Sequence, residues 1–212
     1  MMEVRMRDWV ALLREGAPGS GDLARTTPAY LRYHGCPGTA AHVARVASAA
    51  RAVALRFDLP PHQAEAAGWL HDVSAVIPAA DRVEAARALA IPVLAEEAAF
   101  PMIIHQKLSA WMGAALFGVT DAAVLDAVSC HTTLRQDATP LAMAVFVADK
   151  IAWDQPGEPP YLGVLLAALD RSLEHAALAY LAYLWQRRAT LKVIHPWLAA
   201  AYAQLSERLA GP

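Results

Sequence analysis

From residue 40 onward, apolar residues recur at three- and four-residue spacings, the signature of one buried helix face. Prolines and glycines cut that pattern into segments. The spacing predicts helices near 40–57, 61–72, 81–90, 102–118, 121–131, 140–153, 161–186 and 196–209. Breaks are expected at Pro60-Pro61, Pro78, Pro92, Pro101, Pro140, the stretch from Pro156 to Pro160, and Pro196. Residues 18–38 are rich in proline and glycine and read as loop with one short helical turn, which Thr27-Pro28 is suited to start. The expectation is an all-α chain. A loop-rich N-terminal extension, 1–39, precedes one helical domain, 40–212, with a core at 40–155 and C-terminal helices at 161–209.

Several ionisable residues fall on the apolar faces of these helices. His42 shares a stripe with Val46, Ala49 and Val53, and His71 follows Ala64, Ala67 and Gly68 at the same spacing. His105 leads into Leu108, Met112 and Leu116, while His131 follows Val124, Ala127 and Val128. Asp149 follows Ala142, Val145 and Phe146, and Asp72 adjoins His71. A single inward histidine is usually a hydrogen-bonded core residue, and a single inward aspartate usually a cap or half of an ion pair. Six together are different, because without a cation they lack enough hydrogen-bond partners. A mixed imidazole and carboxylate set suits iron, manganese or zinc. Of the remaining histidines, His34 lies in the loop-rich segment, His62 begins a helix in solvent, and His175 and His195 read as structural.

Composition narrows the class. Of the 212 residues, 57% are hydrophobic, many of them alanine, which favours helix. The formal net charge is −2 with no basic stripe, so long nucleic acid is not an expected partner. Cys36 and Cys130 form no paired motif, which fits a reducing compartment. The first ten residues lack the apolar core of a signal peptide, and no apolar run reaches the roughly 18–20 residues of a membrane span. A cytoplasmic protein acting on a small molecule is expected.

The adjacent pair His71-Asp72 resembles the signature of the HD superfamily of metal-dependent phosphohydrolases. The ordered set makes the likeness more specific: His42 heading AHVARVASAARAVAL, then AAGWLHD, His105 in HQKLSA, AVSCHTT, and VFVADK. This order is similar to the YqeK-type branch, whose members cleave diadenosine tetraphosphate symmetrically into two ADP, and it spans about residues 40–155. The resemblance implies two iron ions, with manganese or magnesium as substitutes, held by His42, His71, Asp72, His105, His131 and Asp149. It also implies that Thr132 and Thr133 contact substrate phosphates. The chain departs from the branch at Ala75, where a lysine is usual, at Leu134-Arg135, and at Ala152-Trp153-Asp154.

Phosphoanhydride hydrolysis places negative charge on attacking, bridging and leaving oxygens, which a pair of cations can clamp. His42, His71 and Asp149 are assigned to one ion and His105 and His131 to the other. Asp72 bridges, and a metal-activated hydroxide attacks. Asp72 and His71 carry the catalytic role. Thr132, Thr133, Arg135, Lys150 and Lys107 are the expected phosphate donors, and Trp153 either stacks on a base or packs in the core. The expected function is hydrolysis of a nucleotide or dinucleotide polyphosphate. Two alternatives remain open: a di-iron oxygenase on the same fold, and a non-catalytic metal- or nucleotide-binding sensor. Tyr180, Tyr183, Trp185, Trp197 and Tyr202 on the C-terminal helices either pack on the core or form a homodimer surface.

Overall fold

The structure, a computed structural model, describes residues 7–211. The reading of the first six residues lies outside that range. Twelve α-helices and no strand are present among the described residues. In chain order they are α1 (Trp9–Arg14), α2 (Leu23–Tyr33), α3 (Pro37–Arg56), α4 (Pro61–Leu70), α5 (Arg82–Ala88) and α6 (Ala95–Ala99). There follow α7 (His105–Phe117), α8 (Ala122–Ser129), α9 (Pro140–Ile151), α10 (Leu162–Leu169), α11 (Leu173–Gln186) and α12 (Pro196–Ala210).

The helix starts follow from local chemistry. Proline opens α3, α4, α9 and α12, where its missing N–H is no loss. Side chains of Asp121, Thr139 and Ser172 accept from the first backbone amides of α8, α9 and α11. Gly118 ends α7 in the left-handed conformation, at φ 66°.

Helix α9 organises the interior. Every residue from Leu141 to Ala148 is buried, as expected of a helix that is apolar all round. One side of it meets a core built from α1–α4, α7 and α8, with Val46, Ala67, Leu108 and Val128 among its members. The other meets a second core from α10–α12, including Leu165, Leu181 and Leu198. The aromatic residues of the C-terminal helices pack inward: Tyr180 lies edge-on to Phe146, and Trp185 stacks on Tyr202.

Two expectations need correction. Residues 18–38 are mostly helical, since α2 covers 11 of them with Pro28 inside it. An internal proline costs a helix about 3 kcal/mol or more. Burying Tyr30 and Leu31 offsets this, because a fully buried side chain of that size contributes roughly 1.5–3 kcal/mol. Helix α1 also joins the core through Trp9 and Leu13, and the Tyr30 hydroxyl donates to the Leu13 carbonyl at 2.9 Å. The extension is therefore part of the packed body. The single helix expected over 161–186 is two, broken at Asp170-Arg171-Ser172, where Ser172 caps α11.

Candidate metal centre

Five of the six residues line one cleft of about 200 Å³, and fully buried His71 lies behind them, its Nε2 beside that of His42. His42 comes from the second turn of α3 and Asp149 from the last turn of α9, while His105 is the first residue of α7. His71 and Asp72 directly follow α4, and His131 lies in the turn beyond α8. Half of the set thus sits past a helix end, where the backbone can aim it more freely than a helix face allows.

The geometry divides into two halves around Asp72. On one side, His42 Nε2 and His71 Nε2 lie 3.1 Å apart, with Asp149 Oδ1 at 3.3 Å and 3.6 Å from them. Asp72 Oδ2 lies 4.0 Å from His42 Nε2 and 3.7 Å from His71 Nε2. On the other side, His105 Nε2 and His131 Nε2 are 2.9 Å apart, and Asp72 Oδ1 is 3.1 Å and 3.7 Å from them. The two carboxylate oxygens of Asp72 therefore face different histidine pairs. Each half, His42-His71-Asp72 and Asp72-His105-His131, clusters tightly enough to hold a metal ion.

Three of the four rings are oriented by the backbone. Nδ1 of His71 donates to the Gly68 carbonyl at 2.7 Å, and Nδ1 of His131 to the Val128 carbonyl at 2.8 Å. Nδ1 of His105 donates to the Met102 carbonyl. A carbonyl only accepts, so each of these nitrogens carries the proton and each Nε2 presents a lone pair. Two lone pairs facing at 2.9 Å, beside a carboxylate, repel each other unless a cation lies among them. The donor set therefore fits a metal. Buried His42 Nδ1 has no hydrogen-bond partner.

Burial and charge fix the protonation states. Burial lowers the His71 imidazole and takes His131 down to about 4, so both stay neutral, as ligation requires. For His42 burial pulls downward, but Asp149 and Asp72 outweigh it and the net shift is upward. Burial alone would raise Asp72 and Asp149. The surrounding histidines hold Asp72 well below the usual carboxylate range, and Lys150 with His42 does the same for Asp149. Lys150 Nζ sits 2.6 Å from Asp149 Oδ2 and donates to the His131 carbonyl at 3.2 Å.

The expected phosphate donors divide. Thr132 and Lys150 line the cleft, with the Thr132 hydroxyl 3.1 Å from His105 Nε2. Thr133 is buried, its hydroxyl held by Gln106 and the Leu134 carbonyl. Arg135 does not reach the cleft. Leu134 adopts φ 56°, the chain turns away, and Arg135 pairs with Asp126 at 2.6 Å. Lys107 does not reach it either. Two positions after His105, it points about 200° around α7 and pairs with buried Glu97 at 2.8 Å.

Sequence reasoning missed Asp154, Tyr161 and Tyr180 as cleft residues, and it missed Gln106. The side-chain oxygen of buried Gln106 accepts from the amides of Thr132 and Thr133 and fixes the turn carrying His131. Its adjacency to His105 was the available signal. His195, read as structural, caps α12 and pairs with Glu97 at 3.4 Å. No helix among the described residues is long and apolar enough to cross a membrane.

Comparison with known proteins agrees with this geometry. Residues 39–154 match the family described as HD domain. An uncharacterized protein in the pepC 5' region of Lactococcus lactis subsp. cremoris is 44% identical over 148 residues, covering 70% of this chain and 75% of that protein. The crystal structure of a predicted HD superfamily hydrolase involved in NAD metabolism, from Clostridium acetobutylicum, superposes with a TM-score of 0.81 at 21% identity, covering 90% of this chain and all of that one. With its helical body, its His71-Asp72 pair and a family match spanning more than half its length, the chain belongs to the HD domain family.

Proposed function

We propose that the protein is a metal-dependent phosphohydrolase acting on a nucleotide or dinucleotide polyphosphate, with diadenosine tetraphosphate as the case implied by the YqeK-type motif order. The observation that carries this reading is the pair of imidazole clusters divided by the two carboxylate oxygens of Asp72. His42, His71 and Asp149 would hold one cation, His105 and His131 a second, and Asp72 would serve both. When bound, such a pair neutralises phosphate charge and lowers the pKa of water toward about 7. The chain's own groups do the rest. Thr132 offers a hydroxyl at the cleft, and protonated Lys150 adds positive charge beside Asp149. Trp153, Tyr161 and Tyr180 add aromatic walls to the cleft. The description of the Clostridium protein, a hydrolase involved in NAD metabolism, supports a nucleotide-type ligand.

The test combines elemental analysis of the purified protein with product analysis on nucleoside mono-, di- and triphosphates and diadenosine tetraphosphate. About two metal ions per chain with release of ADP from the dinucleotide is the expected result. Two ions with no turnover of any phosphate compound would overturn the hydrolase assignment. A chain that takes up no metal after reconstitution with iron or manganese would overturn the metal centre.

A further inference from the structure

A second cleft, of about 160 Å³, adjoins the metal centre. The two share Thr132 and Tyr180 as a common wall. Their linings differ in kind. The metal cleft is ringed by ionisable groups, whereas the second is mainly apolar, walled by Phe100, Leu184 and Leu198 as well as Tyr180. His195 also contributes, but its ring is engaged on both sides, accepting from the Trp197 amide and facing Glu97. No carboxylate among the described residues lines this cleft, and exposed Lys192 lies 4.9 Å over the Phe100 ring at its rim. Leu184, Lys192 and Leu198 lie beyond the family-matched residues 39–154, whereas Phe100 and Thr132 lie within them, so the C-terminal segment closes this cleft against the shared domain.

Resting on the hydrolase reading above, we propose that this cleft binds the heteroaromatic ring of the phosphate ester and selects for it. A ligand whose phosphate sits among the histidines has its next group at the Thr132–Tyr180 wall. That group meets aromatic faces, aliphatic walls and the hydroxyl-bearing side chains of Thr132, Thr133 and Tyr180. A flat ring with a few polar edges gains stacking and apolar contact there. A cationic group would lose hydration there with no carboxylate to meet it. Lys192 at the rim favours an anionic ester over a neutral nucleoside. The HD residues thus handle phosphate, and the C-terminal helices decide what is attached to it.

The test is calorimetric titration of the metal-loaded protein with ADP, inorganic diphosphate and isopentenyl diphosphate, repeated on Leu184→Trp, which fills the cleft, and on Lys192→Ala. ADP is expected to bind at least about tenfold tighter than inorganic diphosphate, the order that one base stacked on an aromatic provides. Leu184→Trp should remove that advantage while leaving metal content and diphosphate affinity at wild-type levels. Lys192→Ala should weaken ADP a few-fold with metal content unchanged. Equal affinity for ADP and diphosphate, or an ADP advantage that survives Leu184→Trp, would overturn the ring site alone. Tighter binding of isopentenyl diphosphate than of ADP would overturn it in favour of an alkyl pocket. Binding of none of the three to the metal-loaded protein would overturn the hydrolase reading and the ring site with it.

Discussion

Replacing Gly68 with alanine tests whether the metal centre depends on the contact between α3 and α4. A Cβ at Gly68 would lie 2.5 Å from Ala47 Cα, 2.8 Å from Ala47 N and 3.1 Å from the Val46 carbonyl carbon. Ordinary contact begins near 3.4 Å, so the shortfall against Ala47 Cα approaches 1 Å. The obstacle is backbone and cannot rotate aside; the helices must separate. Overpacking of this kind costs about 1–3 kcal/mol. Alanine's better helix propensity returns up to about 1 kcal/mol. A net loss of about 1–2 kcal/mol is expected, read as a lower urea midpoint with an unchanged slope. The functional effect should exceed the stability effect. His42 stands on α3, while His71 follows α4 and is anchored on the Gly68 carbonyl itself, so separation opens the 3.1 Å between their Nε2 atoms. Metal affinity should fall at least about tenfold, as when groups that orient a ligand are lost. Gly68→Ala with wild-type stability and full metal content would refute this reasoning.

Other perturbations follow from the same geometry. Asp72→Asn should leave the helical circular dichroism unchanged but reduce bound metal from about two ions to fewer than one, by elemental analysis, whereas Asp149→Asn should retain about one. In the metal-free protein, stability should fall as pH drops from about 6.5 to about 4, because the unfolded chain takes up a proton that folded His131 refuses. The loss from this group is about 3 kcal/mol and is complete below about pH 4, and chemical denaturation across that window should show it vanish in His131→Asn. Glu97→Ala should destabilise by about 3 kcal/mol in thermal melts, since it leaves Lys107 and His195 without their buried carboxylate.

Much of the architecture was legible because prolines and capping residues mark helix starts independently of tertiary context. The six inward polar residues were legible for a related reason: periodicity assigns each to a buried face, and burial of so much charge calls for a common partner. Helix α2 was hidden by Pro28, whose local penalty is outweighed only by contacts of Tyr30 and Leu31 that spacing alone does not display. The break at Asp170-Arg171-Ser172 was hidden because the apolar pattern continues on both sides of it. That Arg135 and Lys107 lie off the cleft was hidden because the sequence gives no direction. A cation's type is written in the sequence, but the positive φ at Leu134 and the buried Glu97 that claims Lys107 are properties of the folded chain. Tyr180 reaches the cleft because α11 packs on α9, and Tyr161 because its hydroxyl donates to the Lys150 carbonyl at the end of α9.

The carbonyl anchors of His71, His105 and His131 bear on how this centre can change over time. Every amino acid supplies the same carbonyl, so substitution at Met102 or Val128 does not delete the acceptor, whereas Gly68 is held to glycine by the closeness of α3. Two of the three rings can therefore keep their bearing through wide drift in the residues beneath them, provided the local turns survive. The vulnerability lies in backbone path. An inserted residue or a shifted helix end disturbs this cluster more surely than many altered side chains, and such lesions leave all six residues in place in the sequence.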